Sequence, residues 1–194
     1  MYKRQGYTTG SCACAAAKAA FITLVSGTVL RNCRFVLPCG EEMELPVGLV
    51  SREEGRVTYS VVKDAGDDPD ITNGCEIRAT VNFNTTHELR FLPGEGVGVV
   101  TLPGLGLEIG APAINPVPRR MMEEELRKLQ SFYKISQGID IMLTVPGGKE
   151  LALKTFNPKL GIEGGISIIG TSGVVKPFSA EAFVATIRKE IQVA

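Results

Sequence analysis

The feature that most constrains the fold is a run of small residues near the N-terminus, TGSCACAAAKAAFITL at residues 9–24. Alanine is the strongest helix former, and Thr9 or Ser11 is of a type that caps the start of a helix. Ser26 and Gly27 follow as a typical helix end. Because its side chains are small, this helix can lie very close to a sheet. We therefore expect the core to form between this helix and a β-sheet.

Strand-like segments follow at short spacing. Residues 56–63 alternate apolar and polar side chains, the period of a half-buried strand. Further strands are expected over residues 33–37, 42–50 (interrupted by Pro46, as at a sheet edge), 75–83, 88–92, 97–102, 139–145 and 165–170. Helices are expected over residues 118–132, 149–155 and 179–192. The pattern predicts an α+β fold in which helices pack on one face of a mixed sheet, a two-layer α/β sandwich.

Composition excludes several classes of protein. Lys and Arg total 21 and so do Asp and Glu, which argues against a nucleic-acid binder, and the absence of Trp argues against a base-stacking platform. The apolar stretch 13–25 contains Lys18 and is shorter than a membrane span. Because Gly10 and Ser11 are typical of a helix start, we expect no signal peptide and a cytoplasmic protein.

The cysteines and the histidine give no metal or disulfide pattern. Five cysteines are scattered without a Cys-x-x-Cys pair, and His87 is the single histidine. We therefore expect neither a disulfide framework nor a protein metal site. Cys12 and Cys14 are expected to be packing residues, although a helix start would lower the pKa of Cys12.

The densest polar feature is the segment KDAGDDPD at residues 63–70, called the acidic loop below. Its carboxylates, Asp64, Asp67, Asp68 and Asp70, suit a cationic ligand, a hard cation or a general base. A solvated turn is the alternative. Like charges this close predict a raised pKa for at least one of them if the loop is partly buried.

Two other kinds of segment are candidates for ligand contact. The helix entry at Thr8, Thr9, Gly10 and Ser11 favours an anion, or is a capped helix without a ligand; it lacks the lysine of a P-loop. Glycine-rich segments lie at Gly94, Gly96 and Gly98 and at residues 161–173, where Gly165 and Ser167 lie in a predicted strand and Thr171 follows it. The alternative is that these glycines only mark tight turns. Neither glycine segment matches a dinucleotide fingerprint.

A pair of arginines follows a rigid segment rich in proline. Arg119 and Arg120 come directly after Asn115-Pro-Val-Pro. They are candidates for bidentate binding of carboxylates, or for solvated charge at a helix start.

Seven segments in the same order resemble the cobalt-precorrin-5B C1-methyltransferase family of anaerobic cobalamin biosynthesis. They are GYTTGSC (6–12), KDAGDDPD (63–70), GEGVGVVTLPGLG (94–106), AINPVPR (113–119), VPGG (145–148), TFNPKLGI (155–162) and GGISIIGTSG (164–173). Each is weak alone, but together they cover nearly the whole chain. The strands between residues 27 and 56 match only in character.

The resemblance implies transfer of a methyl group from S-adenosylmethionine to C-1 of cobalt-precorrin-5B, giving cobalt-precorrin-6A. Cobalt then enters only within the substrate, a small tetrapyrrole whose carboxylates would meet Lys63, Arg119, Arg120 and the helix entry. An aspartate of the acidic loop would balance the sulfonium or accept a proton. The implied partners include no nucleic acid and no membrane, and a homo-oligomer is left open.

The resemblance also implies a larger, two-domain enzyme. Residues 1–178 would form the substrate-binding α+β domain, and residues 179–194 a helix leading towards a second domain. Two alternatives remain at this point: a non-catalytic domain that holds a tetrapyrrole, and a phosphoryl-transfer enzyme that uses the helix entry.

Overall fold

The computed structural model of the chain describes residues 3–175 and the single positions 177, 184 and 188. The helix expected over residues 179–192 therefore lies outside the described residues, apart from positions 184 and 188. The second domain expected to follow that helix also lies outside the described residues.

Helix α1 (Thr9–Ser26) lies at the centre of the core, as the small-residue run predicts. Its alanines are fully buried, and the side chain of Thr8, rather than Thr9 or Ser11, caps it by accepting the Ser11 N–H at 3.1 Å. Gly27 ends the helix in the left-handed conformation (φ +75°). The helix is long and apolar enough to cross a membrane by length and composition, but 72% of that window is buried inside the fold.

The strands of the described part form a central sheet and four short ladders. The central sheet has the spatial order β4 (Gly48–Glu53), β5 (Arg56–Val62), β6 (Glu76–Asn84), β10 (Gly138–Thr144) and β7 (Leu89–Leu92). The ladders pair β1 (Gly6–Tyr7) with β13 (Val174–Val175), β2 (Asn32–Val36) with β3 (Glu42–Pro46), β8 (Gly96–Val97) with β12 (Gly165–Ile166), and β9 (Val99–Val100) with β11 (Ile162–Glu163). The central sheet is mixed, because only β7 and β10 run parallel.

The helices lie on one face of this sheet, which confirms the expected fold. Val57, Tyr59 and Val61 of β5 turn towards α1 and are almost completely buried. Helix α2 (Pro116–Tyr133) packs beside α1 and adds Met122 and Leu126 to the same core. A short helix, α3 (Gly148–Ala152), and a 3₁₀ turn (Asn157–Leu160) complete the described elements.

Several predicted elements differ from the observed ones at proline and glycine. The run 42–50 is divided at Pro46, which ends β3, so that β4 can join another sheet. The expected strand 97–102 is two short strands, and the expected strand 165–170 retains only β12 and a single bridge at Ile168. The helix expected from Pro118 begins at Pro116, where the chain already has helical backbone.

Candidate functional site

The candidate segments lie at one edge of the central sheet. The end of β5 faces the start of β6 (Val62 opposite Glu76), and the end of β10 faces the same point (Thr144 opposite Arg78). Since β7 is parallel to β10, its end lies at this edge too. The acidic loop follows β5, the first glycine segment follows β7, and VPGG follows β10.

The acidic loop is held to the N-terminal strand by a residue that the sequence did not single out. The guanidinium of Arg4 forms a two-pronged ion pair with Asp64, and the Arg4 backbone N–H donates to Asp67 at 2.7 Å. Asp64 also accepts the Gly66 N–H at 2.9 Å. Gly66 is required here, because a Cβ at its left-handed position (φ +68°) would overlap the Arg4 carbonyl. The loop is thus a fixed turn.

Lys63 and Asp70 close the base of the loop as a buried ion pair. The Lys63 side chain is 1% exposed, and its Nζ donates to Asp70 Oδ2 at 2.7 Å. Thr72 donates to the other oxygen of Asp70 through its N–H and its hydroxyl, at 2.7 and 2.6 Å. With its ammonium committed to Asp70, Lys63 is not placed to meet a substrate carboxylate.

The pKa values of Asp64 and Asp70 are lowered, the opposite of the raised value expected for at least one aspartate of this loop. Burial alone would raise the pKa of Asp70, but the hydrogen bonds from Lys63 and Thr72 outweigh burial and lower it. The hydrogen bond from Arg4 is the main reason that the pKa of Asp64 is lowered. Both carboxyl groups are therefore held ionised, which suits charge balance better than proton acceptance.

Asp70→Asn should make the chain less stable at neutral pH and less sensitive to acid. The folded pKa of Asp70 is lowered, so its carboxylate contributes stability above about pH 4, the unfolded value, and loses it as the pH falls through the folded pKa. Losing the charge-assisted hydrogen bonds should cost about 2 kcal/mol at pH 7. Urea unfolding of wild type and variant should converge at low pH, while Glu54→Gln, in an exposed turn, should follow wild type throughout. An equal difference in the free energy of unfolding at neutral and at low pH would contradict a stabilising role for the ionised Asp70.

The start of α1 is covered by other parts of the chain, which favours the capped helix without a ligand over an anion site. Gly10 N–H donates to the Ile169 carbonyl at 2.9 Å, and the Ser11 hydroxyl donates to Gly173 O at 2.6 Å. Thr9 Oγ1 accepts the Ile169 N–H at 2.9 Å, and Thr8 N–H donates to Gly173 O. Protein carbonyls thus accept from Thr8 N–H, Gly10 N–H and the Ser11 hydroxyl, and the Thr8 hydroxyl accepts from Ser11 N–H. These donors are not available to an anion, which argues against phosphoryl transfer at this entry.

The glycines of the two glycine segments allow backbones to touch. Gly96 pairs with Gly165 in the ladder of β8 and β12, and Gly98 N–H donates to Ile166 O at 2.9 Å. A Cβ on Gly94 would overlap the Leu143 carbonyl, and one on Gly165 would overlap the Gly96 carbonyl. At these positions the absence of a side chain lets neighbouring backbone segments lie close together at this edge of the sheet.

A cavity of about 430 Å³ opens between these glycine segments. Its lining includes Gly94, Gly96, Lys149, Glu163 and Gly164, but no residue of the acidic loop. The two glycine segments therefore line one cavity, and the acidic loop lies outside it, although all three follow strands that end at the same edge of the sheet.

The other candidate residues fall into different surroundings. Ser167 donates its hydroxyl to Asn157 Oδ1 at 3.3 Å, while Thr171 is exposed on the segment that covers α1. Arg119 is half-buried, and its guanidinium carbon lies 4.7 Å from the centre of the Phe91 ring, whereas Arg120 is exposed.

Phe91 and Arg4 were missed in the sequence. Phe91 reads only as an apolar strand position, and Arg4 is 60 positions from its partner Asp64. Neither has a local signal. Asn157 was not predicted as a site residue; it appears only within the family segment TFNPKLGI.

The buried and half-buried thiols of Cys12, Cys33 and Cys75 are unsuited to nucleophilic chemistry. Burial raises the pKa of Cys12 to about 12, more than any lowering by the helix start, and burial raises the pKa of Cys33 and of Cys75 to about 11. Among the described residues, no group of His, Cys, Asp and Glu is arranged to hold a metal ion.

Comparison with known proteins gives relatives that all belong to one family. The CbiD family model matches residues 1–177. Proteins named cobalt-precorrin-5B C(1)-methyltransferase from Pseudomonas paraeruginosa and Geobacillus kaustophilus are both 47% identical over 98% of this chain, and one from Prosthecochloris aestuarii is 48% identical over 98%. The chain covers 52%, 51% and 53% of them, so it spans about half of their length.

A solved structure agrees in fold. The crystal structure of the cobalamin biosynthesis protein (cbiD) from Archaeoglobus fulgidus has a TM-score of 0.70 and is 32% identical, covering 97% of this chain and 60% of that one. The family match over most of the chain and the shared fold lead to one conclusion: the chain belongs to the CbiD family.

Proposed function

We propose that the protein methylates C-1 of cobalt-precorrin-5B, with S-adenosylmethionine as the methyl donor, and that it does so in the cytoplasm. The observation that carries the proposal is the 47% identity, over 98% of the chain, to proteins named for that reaction. Because the chain spans about half of their length, the proposal concerns the whole protein in which this domain acts.

The sheet edge supports a role in holding donor and acceptor. The sulfonium already activates the methyl group and the ring carbon is the nucleophile, so alignment and exclusion of water are the main tasks. Cobalt would arrive within the substrate. Two surfaces lie at the edge of the sheet where the family segments meet. One is the cavity between the glycine segments, and the other is the acidic loop.

In this proposal the acidic loop balances the positive sulfonium. Asp64 and Asp70 have lowered pKa values and are ionised at neutral pH, but Arg4 and Lys63 pair with them. The charge for balancing therefore comes from the formal excess of the four aspartates of the loop over these two cations. Accepting a ring proton would need a carboxyl group of higher pKa. The loop would therefore act as a fixed negative field beside the donor.

A tetrapyrrole-binding domain without chemistry of its own is the second candidate. It is favoured by the engagement of Asp64 with Arg4 and of Asp70 with Lys63, since each contact also has a purely structural purpose. Residues 1–178 would then bind the macrocycle, while the reacting groups come from elsewhere in the protein.

Incubation of the protein with cobalt-precorrin-5B and methyl-labelled S-adenosylmethionine should give label on the ring carbon C-1. Of the single Asn replacements of Asp64, Asp67, Asp68 and Asp70, at least one should lower turnover by about a hundredfold, the effect of losing a positioned charged group. Melting temperatures separate this effect from the destabilisation expected of Asp70→Asn. Glu124→Gln, an exposed carboxylate on α2, is the matched control.

Two outcomes would contradict the proposal in different ways. Binding of the tetrapyrrole without any transfer of label would favour the binding domain. Label transfer at the wild-type rate in all four aspartate variants would leave the methyltransferase standing and reduce the acidic loop to a structural turn.

A further inference from the structure

Arg119 differs from the other half-buried arginines of the described part. Arg78 and Arg90 are half-buried as well, and each binds a carboxylate: Glu76 at 2.6 Å and Asp140 at 2.8 Å. Within residues 3–175, no carboxylate pairs with Arg119. A guanidinium taken partly out of water without an acid partner forgoes strong hydrogen bonds unless a ligand supplies them.

An aromatic ring holds this guanidinium in place. Phe91, at the end of β7, is 9% exposed and turns towards the helix face, where its ring centre lies 4.7 Å from the Arg119 guanidinium carbon. A cation stacked on a ring keeps its N–H donors, which point outward in the guanidinium plane, available for another group. The ring contact therefore positions Arg119 without a hydrogen bond to its donors.

A second donor lies at the start of the helix. Asn115 is the N-cap residue of α2, and its carbonyl accepts the Arg119 N–H at 3.1 Å, so the two residues are neighbours there. Its side chain makes no capping hydrogen bond. Pro116 and Pro118 have no N–H, so this helix start has fewer backbone donors, and the side chains of Asn115 and Arg119 add to them.

We infer that Arg119 and Asn115 bind a carboxylate side chain of the ligand, and that Phe91 is the positioning residue of Arg119. The planar guanidinium matches a carboxylate in a two-pronged pair. The inference rests on the proposed function for the nature of the ligand, a tetrapyrrole with acetate and propionate side chains. The location fits, because Pro118, next to Arg119, touches Gly10 at the edge where the family segments meet.

Binding of uroporphyrin III, a tetrapyrrole with acetate and propionate side chains, tests this site without any methyl transfer. Fluorescence titration should show binding weakened about tenfold to a hundredfold by Arg119→Gln. Phe91→Leu should weaken binding about threefold to tenfold, because the guanidinium loses its ring, and Phe91→Tyr should restore it. Arg127→Gln, on an exposed position of the same helix with the same charge change, should bind like wild type.

Equal losses of affinity in Arg119→Gln and Arg127→Gln would overturn the inference, because nonspecific electrostatic attraction between the protein and the carboxylates would then explain the binding. Wild-type affinity in Phe91→Leu, at an unchanged melting temperature, would remove the positioning role. An equal loss in Phe91→Tyr and Phe91→Leu would mean that packing, not the ring, matters. Since no methyl donor is present, failure of the proposed reaction leaves this test unaffected.

Discussion

Replacing Glu125 with leucine should destabilise the fold by about 3–5 kcal/mol, the cost of breaking a buried ion pair by removing one partner. Glu125 is 5% exposed on α2 and accepts hydrogen bonds from Lys18 of α1 at 2.6 Å and from Lys128 at 2.8 Å. Lys128 can turn to water, but Lys18 is 18% exposed and would remain between the helices without its counter-charge. Urea unfolding at neutral pH measures the loss.

The same site provides its own control. The double variant Lys18→Met with Glu125→Leu removes both charges and should recover to within about 1 kcal/mol of wild type, because apolar side chains of similar volume often replace a buried pair without loss. Glu124→Leu, at the exposed neighbouring position, should change stability by less than about 0.5 kcal/mol. If Glu125→Leu costs no more than Glu124→Leu, the pair does not hold the helices together.

Gly96→Ala should cost roughly 3–5 kcal/mol and disrupt the cavity between the glycine segments. Gly96 has φ +73°, and a Cβ there would overlap the Val145 carbonyl oxygen and approach Gly148 N at 3.1 Å. The backbone of β8 would have to move away from VPGG, which lines the same cavity. Urea unfolding measures the loss of stability.

Gly147→Ala separates the cost of the left-handed backbone from the cost of overlap with a neighbouring chain segment. Gly147 has almost the same backbone angle, φ +72°, but nothing lies within 4 Å of a Cβ at that position. Its replacement should cost only the left-handed conformation, about 1–2 kcal/mol. Equal losses in both variants would show that close approach of the chains is not what Gly96 provides.

Sequence periodicity predicted the two layers because it reports which side of an element is buried. The small residues of α1 and the alternation in β5 both carry that information locally, and both elements lie where they were expected. Element ends were less predictable at Pro46, because the sheet that each half joins depends on distant strands.

The candidate site was less predictable, since its chemistry depends on pairs far apart in the chain. The four aspartates of the acidic loop are visible as a cluster, but the direction of the pKa shift at Asp64 depends on Arg4, 60 positions away. The helix entry looked open because its covering segment, around Ile169 and Gly173, comes near the other end of the described chain.

That covering segment has a consequence for the order of folding. The side chains of Thr9 and Ser11 donate to carbonyls 158–162 positions further along, and β1 pairs with β13. Contacts of such separation close late and slow folding, because the chain loses loop entropy before they form. During synthesis, α1 leaves the ribosome first, yet its first turn must wait for residues 167–175 before the hydrogen bonds that cover it can form. The earliest segment to be made is therefore among the last to be completed.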